Sequence, residues 1–254
     1  MPASERHTLE RLLSRLGLCS RTMAAELVRA GRVAVDGVVV RSLARWVDPA
    51  RERVTLDGRA LEAARPLTVC LHKPKGFLTS LGDPRARRTV YDLLEDLPTW
   101  VFPVGRLDRD SSGLLLLTNE SQLAERVTNP EYGLVKRYRV TTKARVDEAQ
   151  LARFERGLEL DDGPTRAARA RLIGHRGPTS VVEVELHEGR NRQVRRMFAA
   201  LGRPVKELRR VAIGPLELGA LASGKWRELS TRELVDLRAA VGLRQRTEKR
   251  GGAE

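Results

Sequence analysis

Gly105-Arg106-Leu107-Asp108-Arg109-Asp110-Ser111-Ser112-Gly113 runs without a break into Leu114-Leu115-Leu116-Leu117-Thr118-Asn119. A polar loop carrying two aspartates and two arginines is thus joined to four consecutive leucines, a run too short for an ordinary helix and apolar on both faces. Such a run fits a strand buried on both sides within a sheet. Loops held by a rigid strand are where chemistry-bearing side chains concentrate, so Asp108 is a candidate catalytic carboxylate. An Asx turn or a surface ion pair is the plainer alternative for an aspartate in this setting.

Outward from this strand, the chain from residue 67 alternates strand-like runs with helical segments. Strands are predicted at Leu67–Leu71, Leu114–Thr118, Arg137–Thr142, Ala168–Ile173, Val181–Leu186 and Val211–Leu218. Helices are predicted at Gln122–Val127, Asp147–Leu158, Arg192–Leu201 and Thr231–Leu243, the last with a capping box of Ser230 and Glu233. Helices do not follow every strand, so the class is α+β with mainly antiparallel pairing.

Residues 6–62 read differently, as a small helix-helix-hairpin module. Leu9, Leu12, Leu13 and Leu16 share one helical face before Gly17, and Ser20 caps a second helix carrying Met23, Ala24, Leu27 and Val28. Val33 and Val35 then alternate up to Asp36-Gly37, a two-residue hairpin turn, and Val38–Val40 return. Val54–Leu56 before Asp57-Gly58 repeats the signal, without a clear partner strand. The proline-containing segment before Leu67 reads as a linker, which puts a second domain at 67–243 and a charged, flexible tail at 244–254.

Of 254 residues, 47 are Lys or Arg and 33 Asp or Glu, a net charge of +14, so a polyanion is the expected partner. Between Arg190 and Arg210 stand eight basic residues and one acidic, a density that fits phosphate contact better than an ordinary solvated face. Two cysteines, Cys19 and Cys70, lie in no Cys/His cluster, so neither a zinc site nor a disulfide framework is expected. With no long apolar run and no signal-peptide core, the chain is expected to be cytoplasmic, with no membrane association.

The loop and its leucine strand resemble the signature of the pseudouridine synthases, in particular the bacterial family that acts on ribosomal RNA uridines, where Asp108 falls on the catalytic aspartate. His72-Lys73-Pro74-Lys75-Gly76, Lys136-Arg137-Tyr138 and Glu188-Gly189-Arg190-Asn191-Arg192-Gln193-Val194-Arg195-Arg196-Met197-Phe198 are similar to further motifs of that family, in family order. Gly17-Leu18-Cys19-Ser20-Arg21 and Gly31-Arg32-Val33-Ala34-Val35-Asp36-Gly37 resemble a small RNA-binding module first named in a small-subunit ribosomal protein. Glu120-Ser121 departs from the family's usual Asp-Gly after the leucine strand, which touches a turn and not the site.

The resemblance implies isomerisation of uridine to pseudouridine within RNA: the N1–C1′ bond breaks, the base turns, and C5 bonds to C1′. Nothing is added or lost, so no cofactor and no metal are expected. Whether Asp108 attacks the ribose, attacks the base or abstracts a proton stays open. By the same resemblance Tyr138 stacks on the flipped uracil and Arg106 braces the gap it leaves. Arg195 lies at the margin of the apolar stripe formed by Val194, Met197, Phe198 and Leu201, where a guanidinium wants a carboxylate, and the family's pairing makes Asp108 its expected partner. Arg192 and Arg196 point away from the stripe and are expected on phosphates, and Lys73, Arg190 and Arg21 complete the expected RNA contacts. Asp110 receives no role.

Asn191-Arg192, Asp83-Pro84 and Thr89-Val90-Tyr91-Asp92 look more like the branch acting on large-subunit (23S) RNA. The expected protein is a monomeric 23S ribosomal RNA pseudouridine synthase. A small-subunit (16S) enzyme and a non-catalytic ribosome assembly factor are the alternatives, and a DNA-binding regulator is weaker because no zinc-finger or zipper pattern occurs.

Overall fold

The computed structural model describes residues 6–243; the tail expected at 244–254 lies outside them. By contacts the chain forms two compact units. One runs through Thr68 and includes 96–102 and 117–121, and the other comprises 69–95, 103–116 and the chain from Gln122. The first unit's continuous stretch ends at Thr68, beside the linker expected near residue 66. Two later segments belong with the first unit: Asn119 accepts from the Leu67 N–H at 2.8 Å and donates its side-chain amide to the Arg65 carbonyl at 2.8 Å.

In the first unit, α1 (Leu9–Arg15) and α2 (Arg21–Arg29) pack over β1 (Val33–Val35), β2 (Val38–Val39), β3 (Val54–Leu56) and β4 (Arg59–Ala60). Leu9, Leu13, Val28 and Val33 are fully buried, and the Ser20 hydroxyl accepts from the Met23 N–H at 3.1 Å as its capping role requires. Met23 itself, expected on the buried face, is exposed. Asp36-Gly37 has φ of 49° and 83°, the left-handed pair of a type I′ turn. The strand whose partner was unclear, β3, pairs with both β1 and β4.

The second unit is organised by one mixed sheet. Its main strands are β5 (Thr68–Lys73), β6 (Ser112–Thr118), β7 (Lys136–Thr142), β8 (Arg169–Arg176), β9 (Thr179–Leu186), β10 (Val205–Ile213) and β11 (Trp226–Glu228), in spatial order β8-β9-β7-β10-β6-β5-β11. The pairs β8–β9, β9–β7, β7–β10 and β5–β11 are antiparallel, and β10–β6 is parallel. The four leucines of β6 are fully buried, as a strand inside the sheet demands. In β9, Ser180, Val182, Val184 and Leu186 face inward and alternate with less buried residues, so one face packs and the other meets water. Arg169, Arg171 and Arg176 are exposed on β8, which ends this order, and charge there discourages further strand pairing.

The helices α3 (Ser121–Thr128), α4 (Glu148–Ala152), α5 (Gln193–Ala200) and α6 (Thr231–Ala240) complete the unit. On the inner face, Phe198 of α5 meets Phe154 with ring centroids 5.1 Å apart, amid Val140, Val182, Val184 and Met197. Two expectations needed too much regularity. The helix expected to run to Leu158 stops at Ala152, because the Phe154 carbonyl accepts from the Ala168 N–H at 2.9 Å and the Leu158 N–H is taken by the Thr165 hydroxyl at 3.0 Å. The strand expected at Val211–Leu218 is the end of β10, a turn at Gly214 with φ 53°, and a short return at Leu216–Glu217.

Candidate active site

The loop between Gly105 and Ser112 is pinned through its backbone. Lys73, at the end of β5, is fully buried, and its ammonium donates to the carbonyls of Pro74 (3.1 Å), Asp108 (3.0 Å) and Ser111 (2.8 Å). The Thr79 hydroxyl donates to the Leu107 carbonyl at 2.9 Å, and the Gly76 N–H donates to the Arg109 carbonyl at 2.7 Å. Below the loop, Gly113 has φ 108° and sits so close to β10 that an added Cβ would lie 2.2 Å from the Arg210 carbonyl oxygen. Burial pushes the Lys73 amine down to about 8, against the opposing pull of Asp108. The expected RNA contact by Lys73 is therefore corrected: no phosphate reaches this ammonium, and its work is to hold the chain around Asp108.

Asp108 opens into a cleft of about 460 Å³ lined among others by Arg106, Lys136, Tyr138, Arg190 and Arg210. Tyr138 projects from β7 into this cleft and is nearly buried. A second cleft, lined by Thr79, Asp83, Arg87 and Asp110, shares Arg106, Asp108 and Arg192 with the first. Arg106 is exposed and lines both clefts, a placement open to RNA.

The arginines do not pair as expected. Arg192, not Arg195, is the guanidinium beside Asp108, at 3.7 Å, and it also donates to both oxygens of Asp110 at 3.2 and 3.1 Å. Arg195 lies 3.3 Å from the Asp110 carboxylate and donates to its backbone carbonyl at 3.0 Å. The reversal comes from the start of α5. Arg192 is not its first helical residue but its cap, in the left-handed region with φ 47°, which swings its side chain off the helical register. Asp110, left without a role, is the residue the two arginines share. Partial burial pushes its carboxyl up, but the Arg192 hydrogen bonds and both positive charges hold it below its ordinary value.

Arg190 and Arg196, expected on phosphates, both bind Asp162 in the turn between two short paired strands, Glu159–Leu160 and Gly163–Pro164. Arg196 donates to its two oxygens at 2.6 and 2.9 Å. Arg190 also donates to the Pro164 and Gly163 carbonyls at 2.8 and 2.9 Å, which fixes the segment leading into α5. Part of the basic run is thus neutralised internally. Arg21 is exposed at the start of α2.

Two residues in the cleft carried no assignment from sequence. Arg210 is almost wholly buried on β10, opposite Tyr138, and Lys136 stands two residues before Tyr138 on β7. The legible signal was the alternation Leu208-Arg210-Ala212, which places an arginine among the inward positions of a strand. Among the described residues no group of His, Cys, Asp and Glu could hold a metal ion, and no helix is long and apolar enough to cross a membrane.

A buried-strand loop that presents a carboxylate to an aromatic, cation-lined cleft, in a chain that also carries a small helix-and-hairpin unit, fits an RNA-modifying enzyme. The chain belongs to the RNA pseudouridylate synthase family, whose model matches residues 67–200, and an S4 domain model matches residues 8–50. It is 43% identical to an uncharacterized RNA pseudouridine synthase of Aquifex aeolicus over 95% of this chain and 98% of that one. It is 37% identical to ribosomal large subunit pseudouridine synthase B of Bacillus subtilis, over 91% of this chain and 95% of that one. A crystal structure of a pseudouridylate synthase superposes with a TM-score of 0.65 at 29% identity, covering 91% of this chain and 99% of that one. The chain is an RNA pseudouridine synthase, an isomerase.

Proposed function

We propose that Asp108 is the catalytic carboxylate and that the substrate is a uridine of large-subunit ribosomal RNA. The observation that carries the first part is the way Asp108 is held: Lys73 binds its carbonyl and Thr79 that of Leu107 just before it, while its side chain, partly open, faces the cleft that contains Tyr138. A carboxylate positioned in this way does covalent or proton-transfer work on a nucleotide delivered to it, at small reorganisation cost. Tyr138 offers its ring to the flipped uracil and its hydroxyl to the C5 side. Over the cycle the N1–C1′ bond breaks, C5–C1′ forms, C5 gives up its proton and N1 gains one. Arg106 is the rim contact for the flanking nucleotides.

The large-subunit assignment is supported by the named Bacillus subtilis relative and by the second cleft. There Asp83 holds Arg87 through two side-chain contacts, at 2.9 and 2.6 Å, which shapes a loop flanking Asp108. Loop shape of this kind reads RNA shape. The protein acts in the cytoplasm, as a monomer.

The test is Asp108→Asn. The variant keeps its affinity for RNA and releases no tritium from RNA labelled at uracil C5; wild-type release in a single turnover would remove Asp108 from the chemistry. Protein-free large-subunit RNA, but not small-subunit RNA, is modified under the same salt, and the reverse pattern overturns the substrate assignment alone.

A further inference from the structure

Where β7 and β10 line the cleft, across from the loop that carries Asp108, they present two positive charges and no negative one. Arg210 is 3% exposed. Its Nε donates to the Leu114 carbonyl at 2.8 Å, and its Nη2 is buried with no hydrogen-bond partner. Lys136 is half-buried and shares the inward face of β7 with Tyr138. Among the described residues, neither has a carboxylate within ion-pair reach. Arg210 is brought here by an irregularity in the β7–β10 ladder: Arg137 stands opposite Ala212, but Tyr138 stands opposite Arg210, so Val211 is left over. Bulges of this kind re-aim side chains beside active sites.

Fully buried charged side chains are almost always paired, because an uncompensated charge away from water is expensive. Here the cost is visible in the titration of the neighbours. Burial, and then Arg210, pushes the Lys136 amine below its ordinary value, and Arg210 acts in the same direction on Lys73. A protein that keeps two mutually repelling cations in its reaction cleft gains from them when negative charge arrives there. The phosphates of a bound RNA strand stay along the rim, where Arg106 is exposed, since each is tied into the backbone on both sides. The group that reaches the floor is the base.

We propose that Arg210 and Lys136 form a cationic floor that stabilises the uracil anion while it is detached from the ribose. When N1–C1′ breaks heterolytically, the bonding pair stays on the base, and its charge spreads over N1 and the two carbonyl oxygens. A guanidinium N–H without a partner and an adjacent ammonium are donors aimed at that charge, and they act in a water-poor site before it develops. The ring then turns on the face of Tyr138, C5 bonds to C1′, C5 loses its proton and N1 takes one up, so the charge is present only between the two bonds. This inference rests on the reading of the cleft as the place of isomerisation and names two further catalytic residues for it.

The experiment uses Arg210→Gln and Lys136→Met in the full chain, with a short large-subunit RNA stem-loop that the wild-type enzyme converts, made with uridine or with 5-fluorouridine. Fluorine makes the departing base a weaker base, so it needs less help from the floor. Single-turnover consumption of the N-linked nucleoside is measured on both RNAs, with RNA affinity and thermal unfolding measured beside it. The expected result is a fall of about 10²-fold on uridine RNA for Arg210→Gln, a smaller fall for Lys136→Met, unchanged affinity, and a clearly smaller deficit on 5-fluorouridine RNA. An equal deficit on both RNAs would mean that the residues only support the structure. A loss of affinity with a shallower salt dependence and an unchanged rate would make them phosphate contacts. Either result overturns the proposal. Because Lys136 makes no side-chain hydrogen bond among the described residues, Lys136→Met decides the matter if Arg210→Gln unfolds. Failure of Asp108 as the catalytic group is read separately, from turnover by Asp108→Asn.

Discussion

Arg192 reaches the Asp108 carboxylate at 3.7 Å while both oxygens of Asp110 hold its guanidinium at 3.2 and 3.1 Å. Asp110 is the stronger partner, so Arg192 is an oriented positive charge beside Asp108 and not a tight ion pair that would have to be broken before Asp108 could react. Arg195 approaches the same Asp110 at 3.3 Å and reaches Asp108 only through it. Arg192→Met is therefore expected to lower the single-turnover rate by about tenfold or more, at the scale of a partly solvated charge contact of 1–2 kcal/mol. Arg195→Met is expected to cost less. If Arg195→Met is the more damaging of the two, the order of the contacts does not carry over to catalysis.

Lys73→Met tests the anchoring of the loop. Methionine approximates the length of the side chain but leaves the carbonyls of Pro74, Asp108 and Ser111 without their shared donor. Hydrogen bonds to a charged group are worth about 1.5–3 kcal/mol each, and part of that is returned because an ammonium no longer has to be buried. A net loss of about 2–4 kcal/mol in urea unfolding is expected, with a rate loss of about 10²-fold on uridine RNA as Asp108 drifts from its place. A destabilised variant that turns over at the wild-type rate would show that the loop holds its geometry without Lys73.

Much of this arrangement was legible in the residues. The leucine strand, the hairpin at Asp36-Gly37, the alternating β9 and the caps at Ser20 and Ser230 follow from local chemistry, and the structure has them all. Asp108, Tyr138 and Arg106 come together in one cleft as the motifs implied. What failed depended on backbone conformations or partners far along the chain. A non-glycine cap at φ 47° moved Arg192 to Asp108, and Asp162 captured Arg190 and Arg196. Neither follows from helical periodicity, which assigns faces but not the neighbours that meet them. Lys73, expected on RNA, is instead buried, where three carbonyls satisfy its ammonium, and nothing local to the Lys73-Pro74 pair names the distant carbonyls of Asp108 and Ser111.

Gly113→Ala should damage the join between loop and sheet. At φ 108° an alanine is strained, and its Cβ would stand 2.2 Å from the Arg210 carbonyl oxygen and 2.6 Å from the Arg210 nitrogen, both backbone atoms in the parallel β6–β10 pair. Gly76, at φ 94° with nothing within 4 Å of an added Cβ, is the control, since it suffers the backbone strain without the collision. Gly76→Ala is expected to cost about 1–2 kcal/mol and Gly113→Ala at least about 2 kcal/mol more, with loss of activity. Equal urea midpoints for the two variants would mean that β10 yields without cost.

The last helix carries a pH signature. Glu233 closes the capping box with Ser230 and also takes two hydrogen bonds from Arg227 on β11, at 2.8 and 2.6 Å. The Arg227 hydrogen bonds, outweighing the upward push of partial burial, lower the Glu233 carboxyl from 4.5 to about 2. A carboxyl depressed in the folded state adds stability that is complete above its unfolded value and is lost as the folded form takes up its proton. The contribution of Glu233 is therefore full above pH 4.5 and disappears as the pH falls toward 2. Glu233→Gln preserves the capping geometry and removes the charge, which isolates the pair with Arg227. Because the pair is partly exposed, its loss is expected to cost only about 0.5–1 kcal/mol at pH 7. The gap between wild-type and variant urea midpoints should narrow below pH 4.5 and be largely gone near pH 2, where the Glu233 carboxyl of the folded protein is half protonated. A gap that persists unchanged at pH 2 would show that the glutamine disturbs the cap itself and that the charge on Glu233 contributes nothing to folding.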